Sequence, residues 1–227
     1  MVAPLRFLAF VLAALAALPA AAAPASAPPE FLVARTGLAD PNFHDAVVLV
    51  TKHTEDGAIG LIVNRPTQVL LADALPDEKG LKDPDAKLFF GGPVARDVAV
   101  FIFRSAKRRG HATRILDGVY ISSSPDVLHE LLARAKPMQG LRVYAGLAGW
   151  GPGQLDEELD RGDWRSIPAD AHSLLDTPPE SLWADLYRRA WAVQVRLAPG
   201  TSLARSLVDA PVCRAYVDDE LAGRGII

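Results

Sequence analysis

Short apolar runs separated by glycine, proline and acidic residues set the pattern of the chain from Phe31 onward. Val47, Val48, Leu49 and Val50 fall within Asp45 to His53, Ile59, Leu61, Ile62 and Val63 within Ala58 to Asn64, and Glu55-Asp56-Gly57 lies between them. Two β-prone runs joined by an acidic-glycine turn predict a hairpin, and Pro66 is expected to stop its second strand because it has no N–H for a ladder. Lys87 to Phe90 and Val98 to Phe103 predict two further strands around Gly91-Gly92-Pro93. Thr113 to Leu116 and Val119 to Ser123 predict another hairpin, turning at Asp117-Gly118. Ser124 then offers an N-cap and Pro125 a first helical position to a helix whose Val127, Leu128, Leu131, Leu132 and Ala135 share one face. Leu141 to Ala145 reads as a strand, and Gln154 to Arg161 and Pro179 to Trp191 as helices. From about residue 193 the pattern loosens into what reads as a strand and a docked tail. Hairpins mixed with a few helices, without strict βαβ alternation, predict an α+β fold in a single domain.

The first residues follow a different pattern. Arg6 is followed by an unbroken apolar run from Phe7 to Leu18, then Pro19 and the small-residue tract Ala20 to Ala23. A basic start, an apolar stretch and an Ala-x-Ala site are the order of a secretory signal, with cleavage expected after Ala22. The apolar run is shorter than the roughly 20 residues a spanning helix needs, so no stable membrane anchor is expected. Residues 23–30, rich in Pro, Ala and Ser, read as a linker into a domain over 31–191, with 192–227 as a C-terminal extension. The expected location is periplasmic or secreted.

Composition narrows the function classes. The net charge of −3 becomes −4 once the segment carrying Arg6 is removed. Lys107-Arg108-Arg109 is the only basic run, a poor electrostatic footprint for nucleic acid, so no nucleic-acid partner is expected. Cys213 is the sole cysteine, which excludes an intramolecular disulfide; its thiol is either buried and inert or free to bridge another molecule. No two of His44, His53, His111, His129 and His172 stand three or four residues apart, so the local nucleus of a zinc site is missing, and no metal or cofactor is expected.

The remaining candidates carry alternatives. Gly149-Trp150-Gly151-Pro152-Gly153 precedes a helix and so suggests an anion cradle, but Asp156, Glu157 and Glu158 in the next turn would repel a phosphate. The run reads instead as a tight turn with Trp150 on the core, or as the rim of a small-ligand groove. Asn64-Arg65-Pro66 ends a buried strand, where Arg65 either clamps a ligand carboxylate or pairs with a structural acid such as Asp40 or Asp45 while Asn64 caps a turn. Ser122-Ser123-Ser124 with Asp126 and His129 lacks the Gly-x-Ser-x-Gly elbow of a serine nucleophile. Arg161-Gly162-Asp163 spells an adhesion tripeptide, which we read as chance.

Several strings carry a resemblance. Phe31-Leu32-Val33-Ala34 and Gly37-Leu38-x-Asp40-Pro41-x-Phe43 are followed by Gly57-Ala58-Ile59-Gly60-Leu61-Ile62-Val63-Asn64-Arg65-Pro66, Phe90-Gly91-Gly92-Pro93-Val94 and Val143 to Leu155. With Gly162-Asp163-Trp164 and Leu182-Trp183, in that order, they are similar to the AlgH/YqgE family, the uncharacterised UPF0301 proteins. The resemblance implies a bent mixed sheet curling into a barrel-like core flanked by helices, and no defined reaction. It also implies a transcription-linked role suggested for some members and a cytoplasmic setting, both at odds with the export signal. The end after Trp191 lacks the Gly/Ala/His-rich finish of the family.

Together these readings favour an exported, non-catalytic domain that binds a small ligand or a protein partner around Asn64, Arg65, Gly91, Gly92, Trp150 and Gln154. The alternatives are a hydrolase with dispersed carboxylates such as Asp40, Asp45 and Asp117, and the transcription-linked regulator.

Overall fold

The computed structural model describes residues 28–191, apart from 79 and 82. The expected signal segment and its cleavage site, the start of the linker, the C-terminal extension and Cys213 lie outside the described residues.

The β-rich runs become strands β1 (Glu30–Ala34), β2 (Val47–Thr54), β3 (Gly57–Ile62), β4 (Pro66–Leu70), β5 (Lys87–Phe90), β6 (Val94–Arg104), β7 (Thr113–Leu116), β8 (Val119–Ser122), β9 (Leu141–Trp150) and β10 (Trp164–Pro168). The helices are α1 (Leu71–Ala74), α2 (Pro125–Leu132), α3 (Gln154–Asp160), α4 (Ala171–Leu175) and α5 (Pro179–Trp191). Both predicted hairpins form, β2 against β3 and β7 against β8. Pro66 does not simply stop a strand; it opens β4, which pairs with β5, a position open to a residue without an N–H. Ser124 stands at the N-cap of α2, yet its hydroxyl makes no cap; its carbonyl accepts the Leu128 N–H at 3.1 Å.

The main strand path runs β10-β1-β2-β3-β9-β6-β8-β7, with β5 joined to β9 and β4 to β5. Every pair is antiparallel except β5 with β9, so the sheet is mixed but mostly antiparallel. The expected barrel-like closure is not found. The path ends at β10 and β7, and among the described strands no pairing joins those ends. The physical reason lies on the inner face, where Leu182, Trp183, Leu186 and Tyr187 of α5 pack against Phe31, Val33, Leu49 and Leu61. The Trp183 indole N–H also donates to the Ala34 carbonyl at 2.9 Å. A helix wedged there covers apolar surface that barrel closure would otherwise bury.

Continuous rather than alternating apolar runs follow from burial on both faces. Along β1, Phe31 and Val33 join the cluster under α5, while Leu32 and Ala34 join a second cluster containing Trp150, Leu155 and Trp164. Along β6, Val98, Val100 and Ile102 face the first cluster, and Phe101 and Phe103 face a third with Leu128 and Leu131 of α2.

Tyr144, fully buried in the first cluster, has its phenol pKa pushed up to about 12 by burial, with the positive charge of Arg142 opposing. Its hydroxyl has no hydrogen-bond partner among the described residues, so Arg142 acts on it through charge rather than through a well-formed hydrogen bond.

Candidate functional site

The sharp strings of the sequence meet around β9 and the loop between β1 and β2. Glu158 of α3 is their hub. Its Oε2 accepts the indole N–H of Trp150 at 2.9 Å and of Trp164 at 2.8 Å, and its Oε1 accepts from Gln154 Nε2 at 2.9 Å. Gln154 turns its own Oε1 toward the Gly151 N–H at 3.0 Å, so the donor that an anion cradle would need is already used. Phe43 completes the cluster, stacked on Trp150 with ring centroids 5.9 Å apart and edge-on to Trp164 at 5.5 Å.

Asn64 and Arg65 hold that loop from the other side. Asn64 Oδ1 accepts the Val47 N–H at 2.8 Å, and its Nδ2 donates to the Asp45 carbonyl at 2.9 Å. The Arg65 guanidinium donates to the carbonyls of Asn42 at 2.5 Å and His44 at 2.6 Å. Partial burial lowers its pKa, and the charges of Asp45 and Asp40 oppose that shift. Asp45 sits at φ 53°, a left-handed conformation costly for a residue with a Cβ and sustained here by these contacts.

Gly91 and Gly92 pack against the backbone of β9. A Cβ at Gly91 would lie 2.3 Å from the Gly146 carbonyl, and one at Gly92, where φ is 149°, would lie 2.2 Å from Leu147. Only glycine permits that approach.

Of the residues chosen from sequence, Trp150 alone lines a described groove. That groove, of about 290 Å³, runs between the β2–β3 turn and the end of β9, lined by Lys52, Asp56, Gly57, Ile59, Gly149 and Gly151 as well as Trp150. Lys52, Ile59 and Gly149 stand side by side across three strands. Because Gly149 has no side chain and is exposed, the floor beside Ile59 is bare. Lys52 makes no ion pair among the described residues. The neighbouring His53 is paired with Asp156 at 3.2 Å.

The proposed carboxylates are not assembled into one set. Asp40 and Asp45 belong to the β1–β2 loop near Arg65, whereas Asp117 lies in the β7–β8 turn and pairs with Arg114 at 2.5 Å. Ser122 donates to the His111 carbonyl at 2.6 Å, and His129 pairs with Glu78 at 2.9 Å, so these two are engaged apart from each other. Arg161 and Arg35 both pair with the buried Asp163, at 2.8 and 3.3 Å, which makes Arg161-Gly162-Asp163 part of the packing. Among the described residues no group of three or more His, Cys, Asp or Glu is placed to hold a metal ion.

Glu158, Lys52 and Gly149 were not singled out as site residues by the sequence reading. The spacing of Gln154 and Glu158, one helical turn apart, signals their pairing, but nothing in the sequence signals that two distant indoles share that carboxylate.

A family model described as DUF179, AlgH-like, matches residues 31–192. A UPF0301 protein of Streptomyces coelicolor is 39% identical over 165 residues, covering 70% of this chain and 84% of the relative. A UPF0301 protein of Thioalkalivibrio sulfidiphilus is 35% identical over 157 residues, covering 68% and 84%. The solution structure of the AlgH protein from Pseudomonas aeruginosa superposes with a TM-score of 0.61 at 31% identity, covering 79% of this chain and 96% of that one. A crystal structure of protein DIP2367 from Corynebacterium diphtheriae shares the fold, with a TM-score of 0.58 at 24% identity, covering 76% and 88%. The match across the whole described domain, and relatives of whose length it covers 84% or more, make this chain a member of the AlgH-like family, the UPF0301 proteins.

Proposed function

We propose that the chain is an exported, non-catalytic binding domain that takes a small molecule in the groove between the β2–β3 turn and Gly149–Gly151. The observation that carries this reading is the groove itself: a concavity of about 290 Å³ that offers a lysine without an ion pair among the described residues and bare glycine backbone. That volume of about 290 Å³ lies just below the ~300–1,000 Å³ span of small-molecule sites, which favours a small ligand. Glycines admit close approach of a ligand to the backbone, and Trp150 is held in one orientation by Glu158. Gln154 accepts the N–H of Gly151 in the groove wall, whereas Asn64, Arg65, Gly91 and Gly92 stand outside the lining and hold the β1–β2 loop and the middle of β9.

Export rests on the order of Arg6, the apolar run Phe7 to Leu18 and the alanine tract that follows. The test is recovery of the protein from its own cells, with intact-mass analysis of its N-terminus and native mass analysis of any small molecule carried along. A chain beginning at Ala23 with a bound small molecule is expected. A retained Met1 contradicts export, and an unliganded protein that captures only a macromolecular partner contradicts the small-molecule reading.

A further inference from the structure

Beside the groove, on the same face of the sheet, lies a partly open apolar cavity of about 70 Å³. Ile59, Val98, Val100, Ile115, Ile121 and Leu147 form its wall. Those side chains come from β3, β9, β6, β8 and β7, five successive strands of the path, so the cavity lies along one face of this half of the sheet. Lys52 and Ile59 line both the cavity and the groove and are cross-strand neighbours. Lys52 is the only charged side chain that lines the cavity, it is exposed, and it has no ion pair among the described residues. An apolar hole with a lone cation at its mouth has a definite complement. Its charge is negative, and its apolar part is short: the cavity is small against the ~150 Å³ apolar cavity that accepts benzene.

Resting on the groove reading above, we infer that the site binds organic anions that carry a short aliphatic end, which enters the cavity while the anionic group meets Lys52. The wall is mostly apolar, with Thr51, Thr113 and Ser123 its uncharged polar members, so an aliphatic end finds apolar surface to bury there. Asp56 lies at the opposite end of the groove, in the β2–β3 turn, and its negative charge favours placing the anion at the lysine rather than beyond it. A long acyl chain is disfavoured by the same volume.

The test is an amide-shift NMR titration of the whole chain with butyrate, decanoate, butanol and butylammonium. Butyrate is expected to shift the amides of Lys52, Ile59, Val100, Ile121 and Leu147 saturably, at least tenfold more tightly than butanol or butylammonium. Lys52→Met is expected to erase that preference for the anion. Ile115→Phe, on an edge strand at a half-buried position, is expected to weaken butyrate binding tenfold or more by filling the cavity. Equal binding of butanol, tighter binding of decanoate, or a butyrate site unaffected by Ile115→Phe overturns the assigned ligand class. The groove reading has a separate test, because Gly149 lines the groove and not the cavity: Gly149→Leu protein that still carries its native ligand sinks that reading whatever butyrate does.

Discussion

Trp150 and Trp164 donate their indole N–H groups to one oxygen of a single carboxylate, Oε2 of Glu158, at 2.9 and 2.8 Å. One charge thereby joins the last residue of β9 to the first of β10 through α3, and Phe43 packs onto both rings. Removing the carboxylate strands two largely buried donors, each costly to leave without an acceptor. Glu158→Ala is expected to lower stability by about 2–4 kcal/mol, and Glu158→Gln by less, since an amide oxygen still accepts. Urea unfolding of the variants checks this; an unchanged midpoint for Glu158→Ala removes Glu158 from its place as the hub.

Two glycines, one packed on β9 and one within it, are expected to behave oppositely. Gly92→Ala forces a Cβ to within 2.2 Å of the Leu147 backbone at a φ of 149°, and a loss of about 3 kcal/mol or more is expected, enough to leave little folded protein. At Gly149 a Cβ meets only Val94 Cγ2 at 3.6 Å, an ordinary contact, so Gly149→Ala is expected to be tolerated within about 1 kcal/mol. Thermal melts of the pair decide the matter.

Tyr144→Phe is expected to be neutral, or stabilising by up to about 1 kcal/mol, because its buried hydroxyl has no hydrogen-bond partner among the described residues. A loss above about 2 kcal/mol would show that Arg142 supports the hydroxyl directly.

Asp170 caps α4, accepting the Ser173 N–H and hydroxyl, both at 2.7 Å, with Arg189 at 3.4 Å. Burial alone would raise its pKa; the bonds from Ser173 and the charge of Arg189 outweigh it and hold the carboxyl below its ordinary value. A folded-state pKa below the unfolded one contributes stability that is present above about pH 4 and lost as pH falls through the folded value. Asp170→Asn is therefore expected to lower the melting temperature at pH 7 and to lose that deficit as pH falls through the folded-state pKa of Asp170. A constant gap across that range contradicts the ionic part of the cap.

Much of the fold was legible because it is written locally. The β2–β3 hairpin shows in Glu55-Asp56-Gly57 between two β-branched runs, and α2 in Pro125 and its apolar face. β10 has no local signal, since Trp164, Arg165 and Ser166 show no β-run of their own; that segment becomes a strand by pairing with Phe31–Ala34. The failure to close follows from α5 filling the inner face, which no local pattern announces. The candidate site was legible in part for the same reason. Trp150 stands in a sharp string, but Lys52 and Gly149 acquire meaning only when β2, β3 and β9 set them in one row.

The most direct test of whether that row is the binding site uses Gly149→Leu, which places a side chain in the groove at a position where a Cβ makes only an ordinary contact. Native mass spectrometry of this variant and of the unaltered chain, each purified from the source cells and matched in melting temperature, compares the bound small molecule directly. We expect the unaltered chain to carry it and the variant to emerge unliganded; equal occupancy in both would place the binding site elsewhere.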